Sequence, residues 1–387
     1  MLVRLPACRR GAAMLVLALV AAACGGDGPP DTGLAAPAST VEAPPPAPPT
    51  STSTTQPCRP APLEARAATV LAVGINDATS ADAPLAARVA ALGVGGVILL
   101  GHNILDASQA RALIAGMRQQ SPRKLMVAVD EEGGRVSRLR PIVGSTPSAR
   151  TLGQRALADI AAVAAERATV LRDLGFDLVL APVVDADGGP AGGAVGDRAF
   201  ATTPTEAGPR AAAFADGVRR AGVAATAKHF PGQGGLADSH DGEVVSDTPL
   251  AELRAIATAG FGPVLSAGVG AVMMSHVTYR ALGPSPASLE PAAYRMLRSL
   301  GFAGVAITDA VGMEAIVEQW SLPEATVLAL NAGADLVLAT PGDKAAAMRD
   351  GVMAAVTDGR LPEARLDEAV GRVLALRGED PRTMVCR

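Results

Sequence analysis

The run Val223-Ala224-Ala225-Thr226-Ala227 leads directly into Lys228-His229-Phe230-Pro231-Gly232-Gln233-Gly234-Gly235-Leu236-Ala237-Asp238-Ser239-His240. The first five residues read as a buried strand, and Pro231 and Gly232 break it as a strand breaks on leaving a sheet for a loop. The next thirteen residues hold two of the chain's four histidines, a lysine and an aspartate. Asp238 stands two residues before His240, close enough for a carboxylate to orient an imidazole if the loop folds back. A carboxylate neighbour raises a histidine pKa and fixes its tautomer, which suits proton transfer near neutral pH. An isolated Asp-x-His is more often a polar surface loop. Its position directly after a strand weighs against that here.

Working outward, the same alternation recurs. Apolar runs occur at Thr69–Val73, Val97–Leu100, Leu125–Val129 and Leu178–Val184, then at Val223–Ala227, Ala271–Ser275, Gly304–Ile307 and Leu336–Ala339. Ala- and Leu-rich stretches of helical length separate them, among them Ala107–Arg118, Ala156–Leu174 and Thr205–Ala221. Continuous apolar strands, each followed by a helix, indicate a parallel sheet covered on both faces. Eight such units over about 310 residues predict an α/β fold, a (β/α)8 TIM-type barrel forming a single catalytic domain. An open doubly wound sheet is the alternative, but no Gly-x-Gly-x-x-Gly follows the first strand.

Polar residues punctuate the ends of these runs. Asn103 follows the second, Asp130 ends the third and Asp185 follows the fourth. Lys228 and His229 end the fifth, His276 the sixth and Asp309 the seventh. In a barrel those ends form the catalytic face. Any one of them could be a helix cap or a structural carboxylate; their agreement over six strands is harder to dismiss. All four histidines (His102, His229, His240, His276) fall in these segments.

The residue types narrow the chemistry. There is no His-Glu-x-x-His helix and no cysteine cluster, so no metal is expected. A zinc site of His229, His276 and Asp309 would lack the His-x-His on the first strand with which such barrels usually begin. No Gly-x-Ser-x-Gly elbow is present. What remains is a strand-end carboxylate, Asp309, facing a loop that bears an Asp–His pair. That set suits retaining glycoside hydrolysis, in which a carboxylate attacks the anomeric carbon while a proton donor assists the leaving oxygen. The net charge of −4 gives no case for nucleic acid. With aromatics at 2%, a sugar site would have to work through charged and polar groups.

Five motifs occur in order: Asp130-Glu131-Glu132-Gly133-Gly134-Arg135-Val136-Ser137-Arg138, Gly196-Asp197-Arg198-Ala199-Phe200, Lys228-His229-Phe230-Pro231-Gly232, Asp238-Ser239-His240 and Ile307-Thr308-Asp309. Together they resemble the β-N-acetylhexosaminidase branch of glycoside hydrolase family 3, over residues 66–376. The resemblance implies that Asp309 is the nucleophile, His240 the acid/base and Asp238 its orienting partner. It implies that Asp130, Arg138, Arg198, Lys228 and His229 bind the sugar beside the nucleophile, with no cofactor. The implied substrate is a terminal N-acetylglucosamine on cell-wall muropeptides or chitooligosaccharides, released by a monomer. Gln233 stands where a second histidine is usual, Ala199 where a serine is usual, and the gap before Asp238 is about one residue short. Gly232, Gly234 and Gly235 suggest that the loop closes over the substrate. Phosphorolysis and sugar binding without turnover remain the alternatives.

The first 60 residues are of a different kind. Arg4, Arg9 and Arg10 precede the apolar run Gly11–Ala23, which predicts an export signal over residues 1–23. The small residues before Cys24 resemble a bacterial lipobox, with Ala21 where a larger aliphatic residue is usual. Diacylation of Cys24 would anchor the protein to the outer face of the cell membrane; an ordinary cleaved signal would leave it secreted. Residues 24–60, rich in Pro, Ala, Ser and Thr, read as a disordered tether to the domain at 61–387. Its Ser and Thr residues leave glycosylation open. Cys58 and Cys386 then bracket the domain, and a disulfide between them would tie the seam of a closed barrel, adding at most about 4–5 kcal/mol. The plain alternative is two termini that never meet.

Overall fold

The structure, a computed structural model, describes residues 59–386 apart from the side chain of His240. Eight barrel strands follow in order: β1 (Leu71–Val73), β2 (Gly96–Leu99), β3 (Met126–Val129), β4 (Leu178–Val179), β5 (Ala224–Phe230), β6 (Ala271–Met274), β7 (Val305–Thr308) and β8 (Val337–Ala339). Each pairs in parallel with its neighbours, and β1 also pairs with β8. A parallel bridge from Ile307 to Leu336 joins the β7 and β8 edges, so the sheet closes into the predicted (β/α)8 barrel.

The two-residue period of a strand divides the apolar side chains into two cores. Ile98, Met126, Leu178, Met273, Ile307 and Leu338 point inward and fill the barrel. Leu71, Val97, Val127, Val179, Val272 and Val337 point outward and pack beneath the helices. Both sets are buried, which is why these strands carry no polar alternation. Val373 of the last helix, Glu363–Leu376, joins the inner core.

Two strand boundaries differ from the sequence reading, each for a physical reason. β4 stops at Val179 rather than Val184; Pro182 has no N–H for the ladder, and pairing resumes at Val183 opposite Lys228. β5 runs on through Lys228, His229 and Phe230 instead of ending at Ala227. Its register against β6 shifts between Ala227 and Phe230. A regular pleat would send Lys228 and His229 to opposite faces; this irregularity lets both line the barrel mouth.

Candidate active site

A cavity of about 280 Å3 opens at the C-terminal mouth of the barrel. Ile98, Leu180, Met273 and Leu338, the upper members of the inner core, supply its apolar floor. Asp130, Glu132, Arg138, Arg198, Lys228, His229 and Asp309 supply its polar wall. A larger groove of about 510 Å3 lies between the outer helices Leu63–Thr69 and Pro84–Ala91, but none of the strand-end residues reaches it. Volume therefore points away from the chemistry here, and the side chains locate the site.

One wall is an ion-pair cluster. Beyond β3 the chain stays extended, so Asp130 and Glu132 fall on one side and Glu131 on the other. The Lys228 ammonium donates to Asp130 Oδ1 at 2.7 Å and reaches Glu132 Oε1 at 2.6 Å. Arg198 donates to the same Glu132 through Nε at 2.7 Å and Nη2 at 2.8 Å. Burial alone would raise the Glu132 pKa, but Lys228 and Arg198 outweigh it and hold the carboxyl well below its ordinary range. Burial would likewise push the Lys228 ammonium down, yet Asp130 and Glu132 leave it raised. Glu131 faces away and accepts the Ser137 hydroxyl and the backbone N–H groups of Arg138 and Leu139 at 2.8–2.9 Å. That fixes the segment bearing Arg138, whose buried Nε has no hydrogen-bond partner among the described residues.

The opposite wall is built on Asp185. Its carboxylate accepts the His229 ring Nδ1 at 2.7 Å, the His229 backbone N–H at 3.0 Å and the Gln233 N–H at 2.6 Å. The other ring nitrogen, Nε2, lies 3.9 Å from Asp309 Oδ2. Asp309 itself follows β7, with Oδ1 accepting the Ala310 N–H at 2.7 Å. Burial favours its neutral form, but His229, His276, the Ala310 N–H and Lys228 together hold its pKa below the ordinary value. A partly buried, ionised carboxylate therefore borders the cavity.

The loop after β5 is fastened at its base. Tyr279 donates its hydroxyl to the Gly232 carbonyl at 2.9 Å, and Ser275 donates to the Gln233 side chain at 3.1 Å. Gly234 is required by close approach, since a Cβ there would run into the Ala186 carbonyl. Further along, the loop's turn Ser239–Asp241 packs against the short helix Glu314–Val317 that follows Asp309 in the chain. This puts the backbone of His240 beside the β7 segment; its side chain lies outside the described residues. Asp238 accepts the Asp241 N–H through its backbone carbonyl at 3.3 Å.

The five expected sugar-binding residues and Asp309 thus share one cavity. Three other strand-end residues do structural work instead. Asn103 is fully buried and bonds Leu100, Asn76 and Ala78, closing the loops after β1 and β2. His102 reaches the Asn76 carbonyl at 3.0 Å on the half-exposed rim. His276 engages Ser288 and the Ala310 carbonyl through its two ring nitrogens, supporting the segment after Asp309 from behind. Glu132 was not singled out from sequence; the signal was its two-residue spacing from Asp130. Cys386 is disulfide-bonded, whereas Cys24, Cys58, the signal and nearly all of the tether lie outside the described residues.

Comparison with known proteins agrees with this geometry. The family model for the glycosyl hydrolase family 3 N terminal domain matches residues 63–376. The chain is 37% identical over 329 residues to beta-hexosaminidase LpqI of Mycobacterium tuberculosis, covering 81% of this chain and 82% of that protein. The solved structure of M. tuberculosis LpqI superposes with a TM-score of 0.76 at 34% identity, over 84% of this chain and 99% of that one. Beta-N-acetylhexosaminidase from Beutenbergia cavernae gives a TM-score of 0.76 at 31% identity, over 82% and 99% of the respective chains. With the match spanning the whole barrel and its strand-end residues, the chain belongs to glycosyl hydrolase family 3 and is a glycoside hydrolase.

Proposed function

We propose that the protein is a retaining, exo-acting β-N-acetylglucosaminidase that removes terminal N-acetylglucosamine from cell-wall muropeptide or chitooligosaccharide fragments. The relatives named beta-hexosaminidase support the sugar class. The observation that carries the mechanism is Asp309, an ionised carboxylate on the cavity wall whose Oδ2 accepts no hydrogen bond among the described residues. That oxygen attacks the anomeric carbon as the bond to the leaving oxygen breaks, giving a covalent glycosyl-enzyme. His240, protonated and oriented by Asp238, gives its proton to the leaving oxygen, and the neutral imidazole left behind takes one from the water that releases the sugar. It does so without placing a second anion beside Asp309.

Asp130, Arg138, Arg198, Lys228 and His229 bind the sugar's hydroxyl and N-acetyl groups. Arg138 lines the cavity and its side chain donates no hydrogen bond among the described residues, so its guanidinium has donors left for them. At about 280 Å3 the cavity is at the small end of ligand sites, with an apolar floor, which favours a single terminal sugar over an internal one. Diacylated Cys24 would hold the enzyme at the outer face of the membrane. The test is hydrolysis of an aryl β-N-acetylglucosaminide by the purified protein, set against the plain aryl glucoside. Asp309→Ala is expected to abolish turnover, and undiminished activity in that variant rules the assignment out.

A further inference from the structure

We propose that Glu132 is a positioning residue: its carboxylate holds the Lys228 ammonium and the Arg198 guanidinium in one arrangement, turning their remaining N–H groups toward the sugar. The inference rests on the hexosaminidase reading above and adds to it a residue that touches no substrate. Lysine has three N–H donors and arginine five. Lys228 directs one at Glu132 and one at Asp130, leaving one. Arg198 directs Nε and one Nη2 hydrogen at Glu132 and one Nη1 hydrogen at the Ala194 carbonyl at 3.2 Å, leaving two. Both cations line the cavity, so the donors left over are the ones a ligand meets.

Among the described residues only Glu132 touches both cations, and its side chain is only 4% exposed. Asp130 contacts Lys228 and is 19% exposed, so it shares the work less completely. Glu132 sits on a two-stranded antiparallel ribbon, Glu131–Gly133 against Val136–Ser137, which Arg135 fastens to the Arg198 loop through Asp197 Oδ1 at 2.8 Å and the Val195 carbonyl at 3.0 Å. The backbone frame therefore survives when Glu132 is changed, while the two cation heads lose their common acceptor.

This predicts a particular pH signature. Lys228 is faced by Asp130 after β3, Glu132 on the ribbon, Arg198 from the loop after β4 and Asp309 after β7. Burial and Arg198 both push its proton off; the carboxylates keep it on. Without the Glu132 charge, Lys228 loses its proton at lower pH, and the pH above which sugar binding weakens moves down.

The experiment compares the full-length protein with Glu132→Gln and Glu132→Asp on an aryl β-N-acetylglucosaminide across pH. Glu132→Gln is expected to raise KM about tenfold or more with a smaller fall in kcat, the mark of lost binding. Calorimetric binding of N-acetylglucosamine across pH is expected to weaken at lower pH in Glu132→Gln than in the wild type, and Glu132→Asp, which keeps the charge, should return that midpoint toward the wild type. An unchanged KM or an unmoved midpoint in Glu132→Gln overturns the proposal. Where Glu132→Gln does not fold, Glu132→Asp is read in its place: KM raised with the midpoint unmoved supports the clamp, and wild-type KM overturns it. Calorimetric titration with N-acetylglucosamine separates this failure from that of the parent reading. Binding that weakens about tenfold in Glu132→Gln supports the clamp even without turnover. Equal binding overturns the clamp alone, and no binding by the wild type removes both.

Discussion

His229 Nδ1 lies 2.7 Å from Asp185 Oδ2, and that same oxygen accepts the His229 backbone N–H at 3.0 Å. A carboxylate is only an acceptor, so Nδ1 carries the proton and Nε2 is the nitrogen turned toward Asp309. Asp185 also takes the Gln233 N–H, which ties the imidazole to the base of the catalytic loop. Asp185→Ala would strand three donors in a fully buried place. At about 1–3 kcal/mol for each unsatisfied group, it should cost at least about 3 kcal/mol of unfolding free energy. Denaturant unfolding reads this directly, and a loss below about 1 kcal/mol would contradict the arrangement.

Asp309 makes a prediction about acid. Its pKa lies below the ordinary value, and the ionised form is the one the proposed nucleophilic attack requires. Activity lost through this group therefore disappears only as pH falls through a value under about 3.9, the usual aspartate figure. The same sign holds for stability: a depressed carboxylate contributes above its unfolded pKa and stops contributing as pH falls through the folded one. A His240 that gives its proton to the leaving oxygen must carry that proton at the start, so its titration sets the alkaline limb of kcat/KM. Replacing His240 with glycine should remove that limb, and a limb that persists unchanged would implicate a different group.

These two carboxylates also show where the sequence could and could not be read. Asp309 was legible because it ends a continuous apolar run, and such runs exist because barrel strands are buried on both faces. Lys228 and His229 read as the end of the fifth strand, and the structure keeps both within it. What the strand pattern does not show is their partners: Asp130 and Glu132 meet the Lys228 charge and Asp185 meets the His229 ring, all arriving from other strands. Glu132 was hidden beside Glu131; only the pleat separates a residue that faces the cavity from one that holds the backbone. Asn103 and His276 had the right address and a different task, because a strand end needs loop supports as well as catalytic groups.

The loop that carries the proposed acid/base should be sensitive at Gly234. A methyl group there meets the Ala186 backbone, which cannot rotate aside as a side chain would. Relief requires the loop to lift from the segment after β4, carrying Asp238 and His240 with it. A displacement near 1 Å at a catalytic group costs on the order of 10²-fold in rate. Gly234→Ala is accordingly expected to lower kcat/KM by about that factor, while the barrel below it unfolds at a nearly unchanged temperature. Gly235→Ala is the control for space, because its Cβ would meet nothing within 4 Å, although its φ of +77° adds some strain. Equal activity of Gly234→Ala and the wild type would mean that the loop's seat on Ala186 does not set the catalytic geometry.

The far end of the barrel should behave in the opposite way. Asp335, just before β8, is fully buried and accepts Arg298 at 2.6 Å, Arg365 at 2.8 Å, Arg372 at 3.0 Å and the Ala306 N–H at 2.9 Å. One carboxylate thus gathers guanidinium groups from helices Pro291–Ser299 and Glu363–Leu376 beneath the β7–β8 seam. Removing it leaves three cations clustered with no anion between them, apart from Glu368 at their outer edge. Breaking a buried pair from one side costs about 3–5 kcal/mol, so Asp335→Ala should lower the midpoint of denaturant unfolding by a corresponding amount. The folded fraction should keep the wild-type KM and pH profile, because in a barrel this face contributes stability and the other contributes chemistry. A changed KM in folded Asp335→Ala protein would show that strain passes along β7 and β8 to Asp309, and that the two ends are not independent.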